Sequence, residues 1–131
     1  MATSDEQLID AALAVRTRAY GRYSGFRVGA ALIDEQGQLH TGCNVENAAY
    51  PLGTCAEAGA IAAMVAAGGS RIVTIAVAGG KDEICSCTPC GGCRQRINEF
   101  ADSATRVLAV DDSGQWQSYS VAELLPASFH L

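Results

Sequence analysis

Thr54-Cys55-Ala56-Glu57-Ala58-Gly59-Ala60-Ile61-Ala62-Ala63-Met64-Val65-Ala66-Ala67-Gly68-Gly69 is the stretch whose reading decides the fold. Thr54 stands where a helix over Cys55 to Ala67 opens, and the glycine pair supplies residues that accept the left-handed conformation at its end. Small side chains on several faces require a close neighbour for this helix: a sheet, another helix or another subunit. At its start, Cys55 and Glu57 set a soft sulfur and a carboxylate two residues apart. Pro89-Cys90-Gly91-Gly92-Cys93 opens a second such helix, with Pro89 at a position where the missing amide is tolerated. Three sulfurs and one uncommitted carboxylate suit a zinc ion that keeps its fourth position for water. Glu57 then has two readings, a proton carrier for that water or the N3 partner of a Thr54 capping box. The neighbouring ligand set favours the first.

The remaining elements follow outward from these helices. Ser4-Asp5-Glu6-Gln7 has the form of a capping box, and Leu8, Ile9, Ala12, Leu13 and Val15 continue it at helical spacing through about Ala19. Phe26, Val28, Ala30 and Leu32 alternate as a strand, Asp34 to Gly37 forms a turn, and a second strand runs from Gln38 to about Asn44. Asn44 to Gly53 is a connecting loop, whose Asn44 and Asn47 either hold a ligand or satisfy turn backbone. Ile72 to Ala78 reads as a strand buried on both faces, and Gly79 to Thr88 as a loop. Strands at Thr105 to Val110 and Trp116 to Tyr119 flank a turn, and Ser120-Val121-Ala122-Glu123 opens a short helix that Pro126 closes.

This order, α-β-β-α-β-α-β-β-α, predicts an α/β fold with a mixed five-stranded sheet and helices over its faces. Crossover helices start near the carboxyl ends of the preceding strands, so the second and third helices should start at one edge. That brings Cys55, Glu57, Cys90 and Cys93 together.

A length of 131 residues fits one domain spanning residues 1–131, with room for a core that needs no disulfide. The net charge is −5 and the nine Lys and Arg residues are scattered, which argues against a nucleic-acid partner and for a small neutral or cationic ligand. The apolar runs are too short for a membrane span, and the N-terminus lacks the basic and apolar segments of a secretory signal, so the expected setting is cytoplasmic. Six cysteines in such a chain read as metal ligands or redox groups before disulfides.

Cys55-Ala56-Glu57 together with Pro89-Cys90-Gly91-Gly92-Cys93 resembles the zinc deaminase signature. With Tyr23-Ser24-x-Phe26-x-Val28-Gly29-Ala30-Ala31, Gly42-Cys43-Asn44-Val45-Glu46-Asn47-Ala48-x-Tyr50, Cys93-Arg94-Gln95 and Glu123-Leu124-Leu125-Pro126, nearly the whole chain is similar to the short, three-cysteine cytidine deaminases. The resemblance implies a three-layer αβα fold and hydrolytic deamination of cytidine and 2'-deoxycytidine in pyrimidine salvage. It implies one zinc per chain on Cys55, Cys90 and Cys93, with Glu57 moving protons from water to ring N3 and then to the leaving amine. It also implies that Asn44 and Glu46 bond the ribose, that the ring lies against Phe26 and the backbone at Ala56, and that Tyr50 lies in the binding set. Members of this class are homotetramers in which a C-terminal phenylalanine, here Phe129, reaches a neighbour's site.

One departure stands out. The resembling proteins carry an arginine that offsets the ligand sulfurs where this chain has Ala58, so a less Lewis-acidic zinc is expected, with Arg94 or helix-start amides as partial substitutes. Cys85 and Cys87 lie outside the pattern and read as a second metal site, a redox pair or, more ordinarily, two partly buried free thiols, and Cys43 as a small core residue. The competing function is a structural zinc module closed by Cys85, Cys87, Cys90 and Cys93, which leaves Cys55-Ala56-Glu57 unexplained.

Overall fold

Ser4 caps the first helix through a reciprocal pair. Its hydroxyl accepts from the Gln7 amide at 3.1 Å, and the Gln7 side chain accepts from the Ser4 amide at 2.9 Å, at the head of helix α1, Asp5–Arg16. The structure, a computed structural model, describes residues 2–131. α1 ends before Ala19 because the Thr17 hydroxyl turns back onto the Ala14 carbonyl at 2.7 Å. Arg16 then leaves the helix end to donate to the carbonyls of Arg27, Gly80 and Lys81, tying α1 to the sheet.

Strands β1 (Arg27–Asp34) and β2 (Leu39–Cys43) form the expected hairpin, with Gly29 opposite Cys43 and Ile33 opposite Leu39. β3 (Ile72–Gly80) pairs antiparallel with β1. A two-residue strand β4, Ile84–Cys85, pairs with Gly79 and Gly80 inside the stretch read as a loop. Its place exists because β5 (Arg106–Val110), parallel to β3, stops pairing at Val77 and leaves the end of β3 free on that side. β6 (Trp116–Ser120) is antiparallel to β5, so the order is β2-β1-β3-β5-β6, with β4 off that path. The sheet is mixed as expected, with five longer strands and one short sixth. Only one crossover joins paired parallel strands: β2 and β3 run the same way, but β1 lies between them.

Strand alternation divides the core into two faces. Ala30, Leu32, Ile75 and Val107 point toward helices α2 (Ala56–Ala66), α3 (Gly91–Glu99) and α4 (Val121–Leu124), where they pack with Ala60, Met64, Ile97 and Leu124. Ala31, Ala76, Ala78, Leu108 and Val110 point the other way, onto Leu8, Ile9 and Ala12 of α1. The result is three layers, αβα. The second capping box also forms, between Ser120 and Glu123 at the head of α4.

The close neighbour demanded by the small residues of α2 is the sheet. A Cβ at Gly42 of β2 would overlap the Ala60 nitrogen and lie 2.5 Å from the Ala56 oxygen and 2.7 Å from the Gly59 carbonyl carbon. Backbone therefore meets backbone there, and only glycine permits it. Beneath the first hairpin turn, Asp34 and His40 form a buried pair at 2.8 Å, and Asp34 Oδ1 also accepts the amides of Gln36 and Gln38. Burial pushes the Asp34 carboxyl up, but bonds from His40 and those two amides outweigh it and hold it below the usual carboxylate range.

Two expectations follow. Gly42→Ala should destabilise by about 1–3 kcal/mol through overpacking. Gly59→Ala, whose new Cβ meets nothing nearer than 3.5 Å, should be neutral or stabilise by up to about 1 kcal/mol through helix propensity. Urea melts of the two variants would separate them, and equal effects would refute the contact. Because Asp34 has a lowered folded-state pKa, its contribution is fully present above the ordinary carboxylate range and fades as pH falls through the folded value. Melts run from pH 6 to pH 3 should therefore show a steeper acid loss in the native protein than in Asp34→Asn.

Candidate functional site

Both crossover helices begin at the edge where β2 and β3 end, and their N-caps are Cys55 and Cys90. Cys93 lies one turn into α3. The Sγ atoms of these three residues all lie within 4.8 Å of one another. Tetrahedral zinc with sulfur bonds of about 2.3 Å holds its sulfurs about 3.8 Å apart, so this donor set matches three corners of such a site in both softness and spacing. Cys93 is buried, Cys55 half-buried and Cys90 exposed. Cys55 and Cys90 face a cleft of about 370 Å³, so a metal held by the three thiols would be open to a small molecule in that cleft.

Among the described residues these three cysteines are the cluster able to hold a metal; Cys85 and Cys87 are not part of it. The closed four-cysteine module does not form. Cys87 instead lines the cleft as a free thiol, and burial, with the charges of Glu57 and Cys85, pushes its pKa up to about 11. Cys43 is half-buried in β2 rather than fully in the core.

The thiols sit in different fields. Burial raises the pKa values of Cys55 and Cys93, while the Cys93 backbone amide at the head of α3 lowers that of Cys90. Glu57 is 4 % exposed. Burial pushes its carboxyl up, against the pull of its own amide, the Cys93 thiol and the Arg96 charge. Helix α2 is capped at Cys55, one residue later than expected, and has no side-chain cap bond. The Thr54 capping box is therefore absent, and Glu57 points into the protein beside the thiols.

Phe26, Asn44, Glu46, Tyr50 and Ala56 all line the same cleft. Asn44 is held at both ends of its amide: Oδ1 accepts the Val28 amide at 2.7 Å and Nδ2 donates to the Phe26 carbonyl at 3.0 Å. Glu46 accepts the amides of Tyr23 at 2.8 Å and Ser24 at 3.0 Å, together with a short bond from the Ser24 hydroxyl. These bonds hold its pKa down, the Ser24 hydroxyl contributing most. Asn47 takes the turn-satisfying role, accepting the Ala49 amide at 2.9 Å. Tyr50 stands at the mouth, 79 % exposed and edge-on to Tyr23. Phe129 lies in the C-terminal tail, 68 % exposed, and does not line its own chain's cleft.

Arg94 does not offset the thiols. Its guanidinium donates to the carbonyls of Pro89 and Leu124 and to the Thr88 hydroxyl, fixing the segment before α3. The arginine that reaches a ligand is Arg96, with Nη1 3.6 Å from Cys93 Sγ. The sequence held a signal for it, since residues three apart on a helix share a face. Cys87 and Thr88 are further cleft residues without a motif to announce them.

A family model described as the cytidine and deoxycytidylate deaminase zinc-binding region matches residues 2–109. A cytidine deaminase of Sporosarcina psychrophila is 40 % identical over 124 residues, 95 % of this chain and 90 % of that protein. A probable cytidine deaminase of Dictyostelium discoideum is 42 % identical over 125 residues, 95 % and 82 % of the two chains. The solved cytidine deaminase of Burkholderia pseudomallei superposes with a TM-score of 0.87 at 40 % identity, covering 96 % of this chain and 99 % of that one. That of Mycobacterium tuberculosis gives 0.82 at 35 %, covering 98 % and 99 %. With matches of this extent meeting on a chain whose three thiols gather where two helices start, the protein belongs to the zinc-dependent cytidine deaminase family.

Proposed function

We propose that this protein hydrolyses cytidine and 2'-deoxycytidine to uridine and 2'-deoxyuridine with release of ammonia, a step of pyrimidine salvage, and that residues 1–131 act as one domain. The observation that carries the reading is the buried carboxyl of Glu57 beside three thiols that open onto one cleft. Cys55, Cys90 and Cys93 hold the zinc, one per chain. When bound, zinc supplies Lewis acidity that brings a water toward ionisation near neutral pH.

Glu57 is the catalytic residue. It takes a proton from the water whose oxygen bonds to ring C4 and delivers it to ring N3. It then carries the second proton to the amino nitrogen, which leaves as ammonia when the C4–N bond breaks. Its raised pKa supports this work, because a carboxyl that both accepts and returns a proton operates best nearer to neutral pH.

Phe26 and the backbone at Ala56 flank the ring, and Asn44 and Glu46 bond the sugar. Each polar side chain keeps unused capacity, a second Nδ2 hydrogen on Asn44 and a free lone pair on Glu46 Oε2. Both are already fixed by backbone bonds, so little rotamer freedom is lost when a sugar arrives. Tyr50 guards the mouth. We assign the chain to a homotetramer in which Phe129 covers a neighbour's cleft; the exposure of so large an apolar ring supports a partner for it.

A polynucleotide substrate is disfavoured by the acidic balance of the chain. No helix among the described residues is long and apolar enough to cross a membrane. A cytoplasmic setting suits six cysteines with no disulfide between them.

Zinc content and cytidine-to-uridine conversion, measured side by side on the native protein and Glu57→Ala, test the reading. Glu57→Ala should retain zinc and lose at least about a hundredfold in kcat; conversion close to the native rate would defeat the assignment. Glu46→Gln should raise KM for cytidine by about tenfold or more, the loss of a charge-assisted bond. Phe129→Ala should raise KM without loss of zinc, and light scattering should give four chains per particle.

A further inference from the structure

Three thiolates around a divalent ion leave a net negative charge, and an ionised Glu57 beside them adds to it. Water solvates part of that charge at the exposed Cys90, but Cys93 is fully buried. A buried thiolate needs a donor from the protein. The cations nearest in sequence or space to this edge are otherwise employed: Arg94 on two carbonyls and a hydroxyl, Arg16 on three carbonyls.

Arg96 alone among them turns to a sulfur, Nη1 lying 3.6 Å from Cys93 Sγ. Two further features make room for it. Ala58 of α2 and Arg96 of α3 line one hollow between the helices, and the short Ala58 side chain leaves that hollow open. A Cβ on Gly92 would come within 3.3 Å of Arg96 Nη1, so the glycine clears the other side of the guanidinium.

We infer that Arg96 is a positioning residue of the zinc centre: its guanidinium, reaching back one turn of α3, offsets the buried thiolate of Cys93 and slows loss of the metal. The inference rests on the zinc-dependent reading given above. It also names a source for the charge missing at Ala58, on the opposite helix and in place of Arg94. A planar, weakly hydrated guanidinium suits this half-open hollow better than an ammonium, which holds its water more strongly.

The test is the rate at which zinc passes from the holoenzyme to a chromophoric chelator. Arg96→Gln should release it about ten times faster or more, the range found when a partner of a metal ligand is removed. Arg96→Lys should fall between, and adding Ala58→Arg to Arg96→Gln should slow release again by presenting a guanidinium across the same hollow. Release from Arg96→Gln at the native rate would overturn the inference. So would a fast release that Ala58→Arg does not reverse, because the effect would then come from packing of α3 and not from charge. Should Arg96→Gln fail to fold, Arg96→Lys releasing zinc at the native rate would overturn it equally. Failure of the underlying reading looks different: native protein that binds no stoichiometric zinc or leaves cytidine unchanged.

Discussion

The contact between the backbone of α2 and Gly42 is the constraint on which the site depends. A helix pressed this closely onto β2 cannot slide or roll, so the direction in which its first turn points is fixed by the sheet. α3 gains its position from the adjacent crossover, and both helices start at the edge where β2 and β3 end. Three thiols then converge without any local loop having to fold around them. The same logic holds on the opposite face, where Gly29 lets β1 approach the last turn of α1 and Arg16 ties that turn to the ends of β1 and β3.

Around this frame, charge is managed by geometry rather than by solvent. The free amides at the start of α3 favour the thiolate of Cys90, and Arg96 faces Cys93. Glu57 has neither a capping role nor much exposure to water, and burial raises its pKa against the pull of its own amide, the Cys93 thiol and the Arg96 charge. The cleft wall follows a second scheme, in which polar groups are occupied before a ligand comes. Asn44 bridges Val28 and Phe26, and Glu46 gathers the loop at Tyr23 and Ser24. Loosening either side chain would loosen the wall, so the shape of the cleft is carried by these bonds.

Much of this was legible in the sequence because it is local. Both capping boxes, the hairpin across Asp34 to Gly37, and the two cysteine-led helix starts each depend on residues within a few positions of one another. The meeting of Cys55 with Cys90 and Cys93 was legible too, since crossover helices begin at a shared edge. What escaped depends on tertiary competition. β1 takes the position beside β3 that β2 would have needed, and β4 forms only because β5 ends early. Arg94 follows Cys93 directly and Arg96 stands three residues beyond it, yet which of them turns to the sulfur is settled by the carbonyls of Pro89 and Leu124, far apart in the chain.

The most consequential of these differences is the smallest. Had α2 been capped by Thr54, Glu57 would stand at N3, the position from which a side chain folds back to the cap and spends its carboxylate on a free amide. With Cys55 as the cap, Glu57 stands at N2. With no cap bond formed, its carboxyl stays uncommitted and lies buried beside the Cys93 thiol. Cys55 likewise makes no side-chain cap bond, which leaves its sulfur free to join those of Cys90 and Cys93. A single choice of helix start therefore leaves both a thiol and a carboxyl uncommitted at one cleft, and the Gly42 contact, reaching Ala56 and Ala60 in the first turns, is what holds that choice in place.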